Sequence, residues 1–236
     1  KIGEKIAFVL HGWGAHIESV MPIVNSLKDD YRVIAYDAPG HGDSDDPTEV
    51  MGTEDYAILL NEIVSYYGVE SAVFLGHSFG GKTLTIFAAD HPEKVEKLVL
   101  IDASGILPKR GLDYYLRVYS FKLLRAIYQL VFFWKEKSKR LEAFYSKFGS
   151  DDYQASQGIM RKVFVKVVNE STMDYLKKIQ AETLLIWGRE DDATPLYMGQ
   201  IFEREIPNAG LVVLKGGHYS YIDDFPTFRA VIQSFL

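Results

Sequence analysis

Ser78 is placed to act as a nucleophile. It stands in Gly76-His77-Ser78-Phe79-Gly80, a G-x-S-x-G pattern, directly after the apolar run Ala72–Leu75 and before a helical pattern opening at Phe79. A serine on so sharp a strand-to-helix turn must take strained backbone angles, and small flanking residues let strand and helix approach. The turn lifts the hydroxyl off the sheet. It also sets it at a helix N-terminus, where unpaired N–H groups and the helix dipole favour developing negative charge. The plainer reading is a glycine-rich loop packing helix on strand; the strand–turn–helix context favours the nucleophile.

A serine hydroxyl needs a base to become reactive. The histidines are His11, His16, His41, His77, His91 and His218. His77 adjoins the serine on a tight turn and is expected to point elsewhere. His91 follows the helix that begins at Phe79, on the wrong side of the sheet. His218 follows the last apolar run, Leu211–Leu214, at the serine's end of the sheet, and Gly216 and Gly217 permit close approach. It is the expected base. The base needs an acid to hold its tautomer and stabilise the imidazolium. Asp191, just past Thr183–Trp187 in "WGREDDATP", is preferred. Asp102, ending "LVLID", is a geometrically acceptable substitute, and Asp192 and Glu190 follow. Acyl transfer also needs donors aimed at the oxyanion. The "HGWG" turn, His11 to Gly14, would supply the backbone N–H of Trp13, and Phe79 would supply the second. The Trp13 side chain would line the pocket or sit in the core.

These residues must be held by a scaffold. Apolar runs at Ile6–Leu10, Arg32–Tyr36, Ala72–Leu75, Leu98–Ile101, Thr183–Trp187 and Leu211–Leu214 are short and mostly unalternating. That pattern predicts strands buried on both faces of a parallel sheet. Helical patterns near Ser19–Leu27, Asp55–Tyr67, Phe79–Asp90, Met198–Glu205 and Phe225–Leu236 alternate with them. The expected fold is α/β, with a mostly parallel doubly wound sheet that binds ligands beyond the carboxyl ends of its strands. The alternation breaks between Ile106 and about Gln180, which reads helical throughout. The expected organisation is a core of residues 1–105 and 181–236, with 106–180 inserted as a helical lid before the penultimate strand.

With 236 residues, 47% hydrophobic and 25% charged, the chain can bury one sizeable core. A net charge of −6 gives no reason to expect nucleic-acid binding. The lack of cysteine excludes disulfides, zinc–thiolate sites and a thiol nucleophile. No uncharged stretch reaches 18 residues, so no membrane span is expected. No signal peptide is visible, and the expected location is cytoplasmic. Lys1 in place of methionine leaves room for a removed leader.

The motifs "VLHGWG", "YDAPGHGDS", "GHSFGG", "LLIWGREDDATP" and "GGHYSY" resemble, in order, the strand-end motifs of the α/β-hydrolase superfamily. The resemblance covers nearly the whole chain outside the insertion. It implies Ser78 as nucleophile, Asp191 as acid and His218 as base, with oxyanion donors at Trp13 and Phe79. Asp37, His41 and Ser44 are expected to fix a turn. Serine rather than aspartate at position 78 counts against the superfamily's haloalkane dehalogenases and epoxide hydrolases. The superfamily's opening β-hairpin is expected to be missing or trimmed, since five residues precede Ile6.

The lid from Ile106 to Ser150 carries eleven aromatic residues, and Leu112, Leu116, Tyr119, Leu123, Ile127, Val131 and Trp134 recur at helical steps. Packing onto the core explains that stripe, and part of it would wall the pocket for an acyl or aromatic group. Ten basic and three acidic residues make this stretch +7. A solvated helix face is the favoured explanation; contact with an anionic membrane surface is the other. The expected function is a cofactor-independent carboxylesterase acting on small to medium apolar esters through an acyl-enzyme. Two alternatives stand beside it: a hydrolase of carbon–carbon bonds in ring-fission diketones, and a slow-hydrolysing ligand receptor on the same fold. Oligomeric state is not legible.

Overall fold

The computed structural model describes residues 5–108, 119, 120, 123 and 151–236. Its six strands are β1 (Ile6–Leu10), β2 (Arg32–Ala35), β3 (Ala72–His77), β4 (Val95–Ile101), β5 (Glu182–Gly188) and β6 (Ala209–Leu214). They form one sheet in the order β2-β1-β3-β4-β5-β6, every neighbouring pair parallel. The described helices are α1 (Met21–Leu27), α2 (Thr53–Tyr66), α3 (Phe79–Asp90), α4 (Asp151–Ala155), α5 (Gly158–Asn169), α6 (Met173–Leu176), α7 (Leu196–Glu205), α8 (Ser220–Asp223) and α9 (Phe225–Phe235).

The unalternating apolar runs follow from burial on both faces. In β1, Phe8 and Leu10 join a core with Leu60 of α2, Leu84 and Phe87 of α3 and Phe202 of α7. The intervening Ala7 and Val9 join an opposite core with Ile23 of α1 and Phe228 and Ile232 of α9. Both parities of the strand are therefore apolar, and no polar face remains to produce a period of two.

Several boundaries differ from the sequence reading, each for a local reason. The pattern from Ser19 divides into a 3-10 turn at Ile17–Val20 and then α1, with Pro22 in the first turn of α1, where a missing N–H leaves no gap in the helix. β3 runs on to His77 because Gly76 and His77 still pair with Leu100 and Ile101 of β4. β4 starts at Val95 and β6 at Ala209, through Glu96, Lys97 and Gly210, which carry no apolar signal but do pair or flank the paired positions.

The chain reverses its winding between β1 and β3, so the crevice beyond their carboxyl ends lies at a topological switch point. The loop of Trp13 follows β1 and Ser78 follows β3. Between β4 and β5 the described elements are all helical. Of the expected lid stripe, Tyr119 and Leu123 are exposed, at 64% and 62%; its remaining members, and the basic residues from Lys109 to Lys147, lie outside the described residues.

α5 lays Met160, Val163 and Val167 against Tyr56 and Phe79. A polar clasp holds its C-terminal end. Lys82, on α3 one turn beyond Ser78 and only 3% exposed, donates from Nζ to the carbonyls of Val167 (2.5 Å) and Glu170 (2.8 Å). The Glu170 carboxylate in turn accepts from the N–H and hydroxyl of Thr53 at the start of α2. Burial lowers the Lys82 ammonium to a pKa of about 8. Lys82→Met keeps the chain length but takes the donor from two carbonyls at the end of a helix, of which Val167 keeps the Glu170 N–H while Glu170 is left without its ammonium partner. We expect a loss of about 2 kcal/mol, read as a lower urea midpoint; an unchanged midpoint would show that the clasp contributes nothing.

Candidate active site

β3 delivers Ser78 onto a turn with φ 51° and ψ −110°, a region that L-residues rarely occupy. The neighbours hold it there. Ser78 N–H donates to Ile101 O at 3.0 Å, and Ser78 O accepts from Lys82 N–H and Ser104 N–H. The packing leaves no room for larger flanks: a Cβ on Gly76 would lie 2.6 Å from the Gly80 carbonyl carbon.

His218 lies in the loop after β6. Gly217 N–H donates to Asp223 and Gly216 N–H to Glu190, so the loop is tied immediately before His218. Gly188, ending β5, packs against the backbone of Gly217. The imidazole Nε2 lies 2.9 Å from Ser78 Oγ, and Nδ1 lies 2.9 Å from Asp191 Oδ2. A carboxylate beside Nδ1 places the proton there, which leaves Nε2 free to accept the Ser78 hydroxyl proton. Burial works to lower the His218 pKa, but the hydrogen bond and charge of Asp191, with the charges of Asp102 and Asp152, outweigh it and hold it above 6.5. Burial works to raise Asp191, and the His218 and Thr194 hydrogen bonds hold it below the usual carboxylate range.

The other acids do not meet the imidazole. Asp102 accepts from Gly188 N–H (2.7 Å), Ser220 N–H (3.1 Å) and the Ser220 hydroxyl (2.7 Å). It thus joins the end of β5 to α8 just beyond His218, and burial pushes it up to about 7. Glu190 accepts from Gly216 N–H, and Asp192 is exposed.

His77 points away from the Ser78 hydroxyl, as expected, and toward the loop of His218. Its Nε2–H donates to the backbone carbonyl of His218 at 2.7 Å, and the two rings lie 5.0 Å apart. Complete burial holds its pKa at about 3, so it is neutral. It ties down the His218 backbone across 141 positions of sequence. No local spacing carries that signal. His91 sits at the far end of α3.

The Trp13 loop runs alongside the serine: a Cβ on Gly12 would lie 3.2 Å from Ser78 Cβ. Among the described residues, neither Trp13 N–H nor Phe79 N–H has a hydrogen-bond acceptor. The Trp13 indole packs edge-on against Phe79 and His41 and tilts against Phe164 of α5. It also lines a cavity of about 360 Å³ together with Gly14, His41, Asp152 and Met160. Asp37 accepts from Ile17 N–H and Asp43 N–H, and its carbonyl takes the Ser44 hydroxyl. His41, lowered by burial to about 4, bonds Pro39 O within the same turn. Among the described residues no group of three or more His, Asp or Glu has metal-holding geometry.

A hydroxyl backed by an imidazole and a carboxylate, at a helix N-terminus with free N–H groups beside it, can carry out nucleophilic attack on a carbonyl. A family model described as alpha/beta hydrolase fold matches residues 8–225. A poly(3-hydroxyalkanoate) depolymerase of Ectopseudomonas oleovorans is 28% identical over 240 residues, 97% of this chain and 83% of the relative. A 2-hydroxy-6-oxononadienedioate/2-hydroxy-6-oxononatrienedioate hydrolase of Comamonas testosteroni is 25% identical over 241 residues, 95% of this chain and 82% of the relative. In fold, the chain resembles an esterase from Exiguobacterium antarcticum with a TM-score of 0.74 and 23% identity, covering 99% of this chain and 92% of that one.

Proposed function

Since the chain belongs to the alpha/beta hydrolase fold family, we propose that it is a serine hydrolase cleaving carboxylic esters of small to medium apolar acids. The carrying observation is the imidazole of His218, set 2.9 Å from Ser78 Oγ on one side and 2.9 Å from Asp191 on the other. Ser78 Oγ attacks the ester carbonyl while His218 Nε2 takes its proton. The backbone N–H groups of Trp13 and Phe79 receive the oxyanion. His218 then returns the proton to the leaving alcohol, and an acyl-Ser78 ester remains. Water, deprotonated by His218, attacks that ester and releases acid and free enzyme. Asp191 stays ionised throughout and balances the imidazolium. The reaction calls for no cofactor. The aromatic surface of Trp13, Phe79 and Phe164 supports an apolar acyl group, and the depolymerase relative supports an ester as the bond.

The Comamonas relative favours a second reading, in which the same residues hydrolyse a carbon–carbon bond next to a ketone. A panel of p-nitrophenyl esters and vinylogous diketones separates the two. The ester reading predicts kcat/KM at least about 100-fold higher on the best ester, a differential transition-state stabilisation of about 2.7 kcal/mol. The reverse ranking would establish the carbon–carbon hydrolase in its place. Turnover too slow to matter on both, with tight ligand-dependent stabilisation, would point to a receptor.

A further inference from the structure

The geometry assigns Thr194 a positioning part in this site: its hydroxyl shares the Asp191 oxygen that receives the base's N–H, and so sets the orientation and proton affinity of His218. This rests on the serine-hydrolase reading above. It concerns a residue that the mechanism leaves unused.

Asp191 has four donors. The N–H groups of Ala193 and Thr194 both reach Oδ1 at 2.9 Å. Oδ2 takes the Thr194 hydroxyl at 2.7 Å and His218 Nδ1–H at 2.9 Å. Thr194 Oγ1 is itself 3.3 Å from His218 Nδ1. The hydroxyl therefore sits inside the acid–base pair rather than behind it.

The side chain is not there by chance of a mobile loop. Thr194 is 5% exposed. Its N–H is held by Asp191, and its carbonyl accepts from Nε1 of the fully buried Trp187 at 2.6 Å. With the backbone pinned on both sides, the hydroxyl proton has two acceptors, Asp191 Oδ2 and the Asp102 carbonyl at 3.0 Å. The shorter contact is to the charged oxygen, which is the stronger acceptor.

A hydrogen bond to Oδ2 stabilises charge on that oxygen and weakens its pull on the imidazolium. Without the hydroxyl, Oδ2 has only the imidazole as donor. The base then binds its proton more tightly and a smaller fraction is neutral at a given pH. The other groups that bear on His218 are Asp102 at the end of β4, Asp152 on α4 and His77 at the end of β3. All remain in a Thr194 variant, so a change reports the hydroxyl.

The test is the pH dependence of kcat/KM on a neutral p-nitrophenyl ester for wild type, Thr194→Val, Thr194→Ala and Thr194→Ser, with NMR titration of the His218 imidazole in each. The wild-type acid limb is expected above 6.5. In Thr194→Val and Thr194→Ala it should move up by about 0.5–1 pH unit, and Thr194→Ser should keep the wild-type limb. A limb and an imidazole titration unmoved in both hydroxyl-free variants would overturn the assignment. So would a serine variant displaced as far as they are, since that would make the methyl the feature that matters. Should valine fail to fold, alanine removes the hydroxyl without adding bulk and decides alone. A wild type that hydrolyses no ester refutes the functional reading, while the NMR titration still decides the part played by Thr194.

Discussion

Ser78→Ala abolishes ester turnover, with an expected loss in kcat of about 10⁴- to 10⁶-fold. The size follows from the chemistry. Alanine removes the atom that forms the acyl-enzyme, and His218 and Asp191 then have nothing to activate along the covalent route. What survives is oxyanion binding and substrate positioning, which yield only a small residue of the rate. The substitution should leave the fold intact, because the Ser78 backbone is held by Ile101, Lys82 and Ser104 rather than through Oγ. A β-carbon also preserves the torsional environment at φ 51°. Labelling by a fluorophosphonate supplies the second readout: wild type is labelled and Ser78→Ala is not. A correctly folded wild type that takes no label, or a variant that keeps its turnover, would remove Ser78 from the mechanism.

Gly80→Ala has a large expected effect on both the scaffold and the candidate site. Gly80 lies in the first turn of α3, and a Cβ there would meet Leu10 O at 2.5 Å and His11 O at 2.7 Å. Both contacts are backbone atoms of β1 and its following loop, so no side chain can rotate away. The helix has to lift from the strand. That cost of about 3 kcal/mol is a large share of a stability of order 5–15 kcal/mol. Lifting α3 also displaces Phe79 N–H and Ser78 relative to His218, so turnover per folded molecule should fall along with the urea midpoint. Gly210→Ala is the control, since a Cβ there meets nothing within 4 Å. Equal midpoints for the two variants would mean that the α3–β1 approach has slack which the atomic positions do not suggest.

The strand segments, their alternation with helices and the candidate serine and histidine are legible in the sequence because each rests on a local pattern, whereas the strand order β2-β1-β3-β4-β5-β6 appears only in the assembled sheet. Runs such as Ile6–Leu10 are apolar at every position because both sheet faces are covered. The glycines about Ser78 are required by contacts within a few residues or with the adjacent strand. The expected lid is legible only as a break in alternation, since helical patterning states that a segment coils and not where it lies.

Tertiary structure decides what depends on loop trajectories. Asp191, Asp102, Asp192 and Glu190 are chemically similar and all lie near strand ends. The return of the β6 loop onto Gly188 brings His218 to Asp191, while Asp102 turns its oxygens to Gly188 and Ser220. His77 bonded to the His218 backbone and Thr194 beside the Asp191–His218 pair are likewise products of closure. Each bonds to His218 or its partner through a direction set by the packing of separate strands. Local sequence encodes backbone preference and burial over a few residues. A hydrogen bond needs two atoms within about 3 Å and aligned, and for residues far apart in the chain only the assembled sheet provides that.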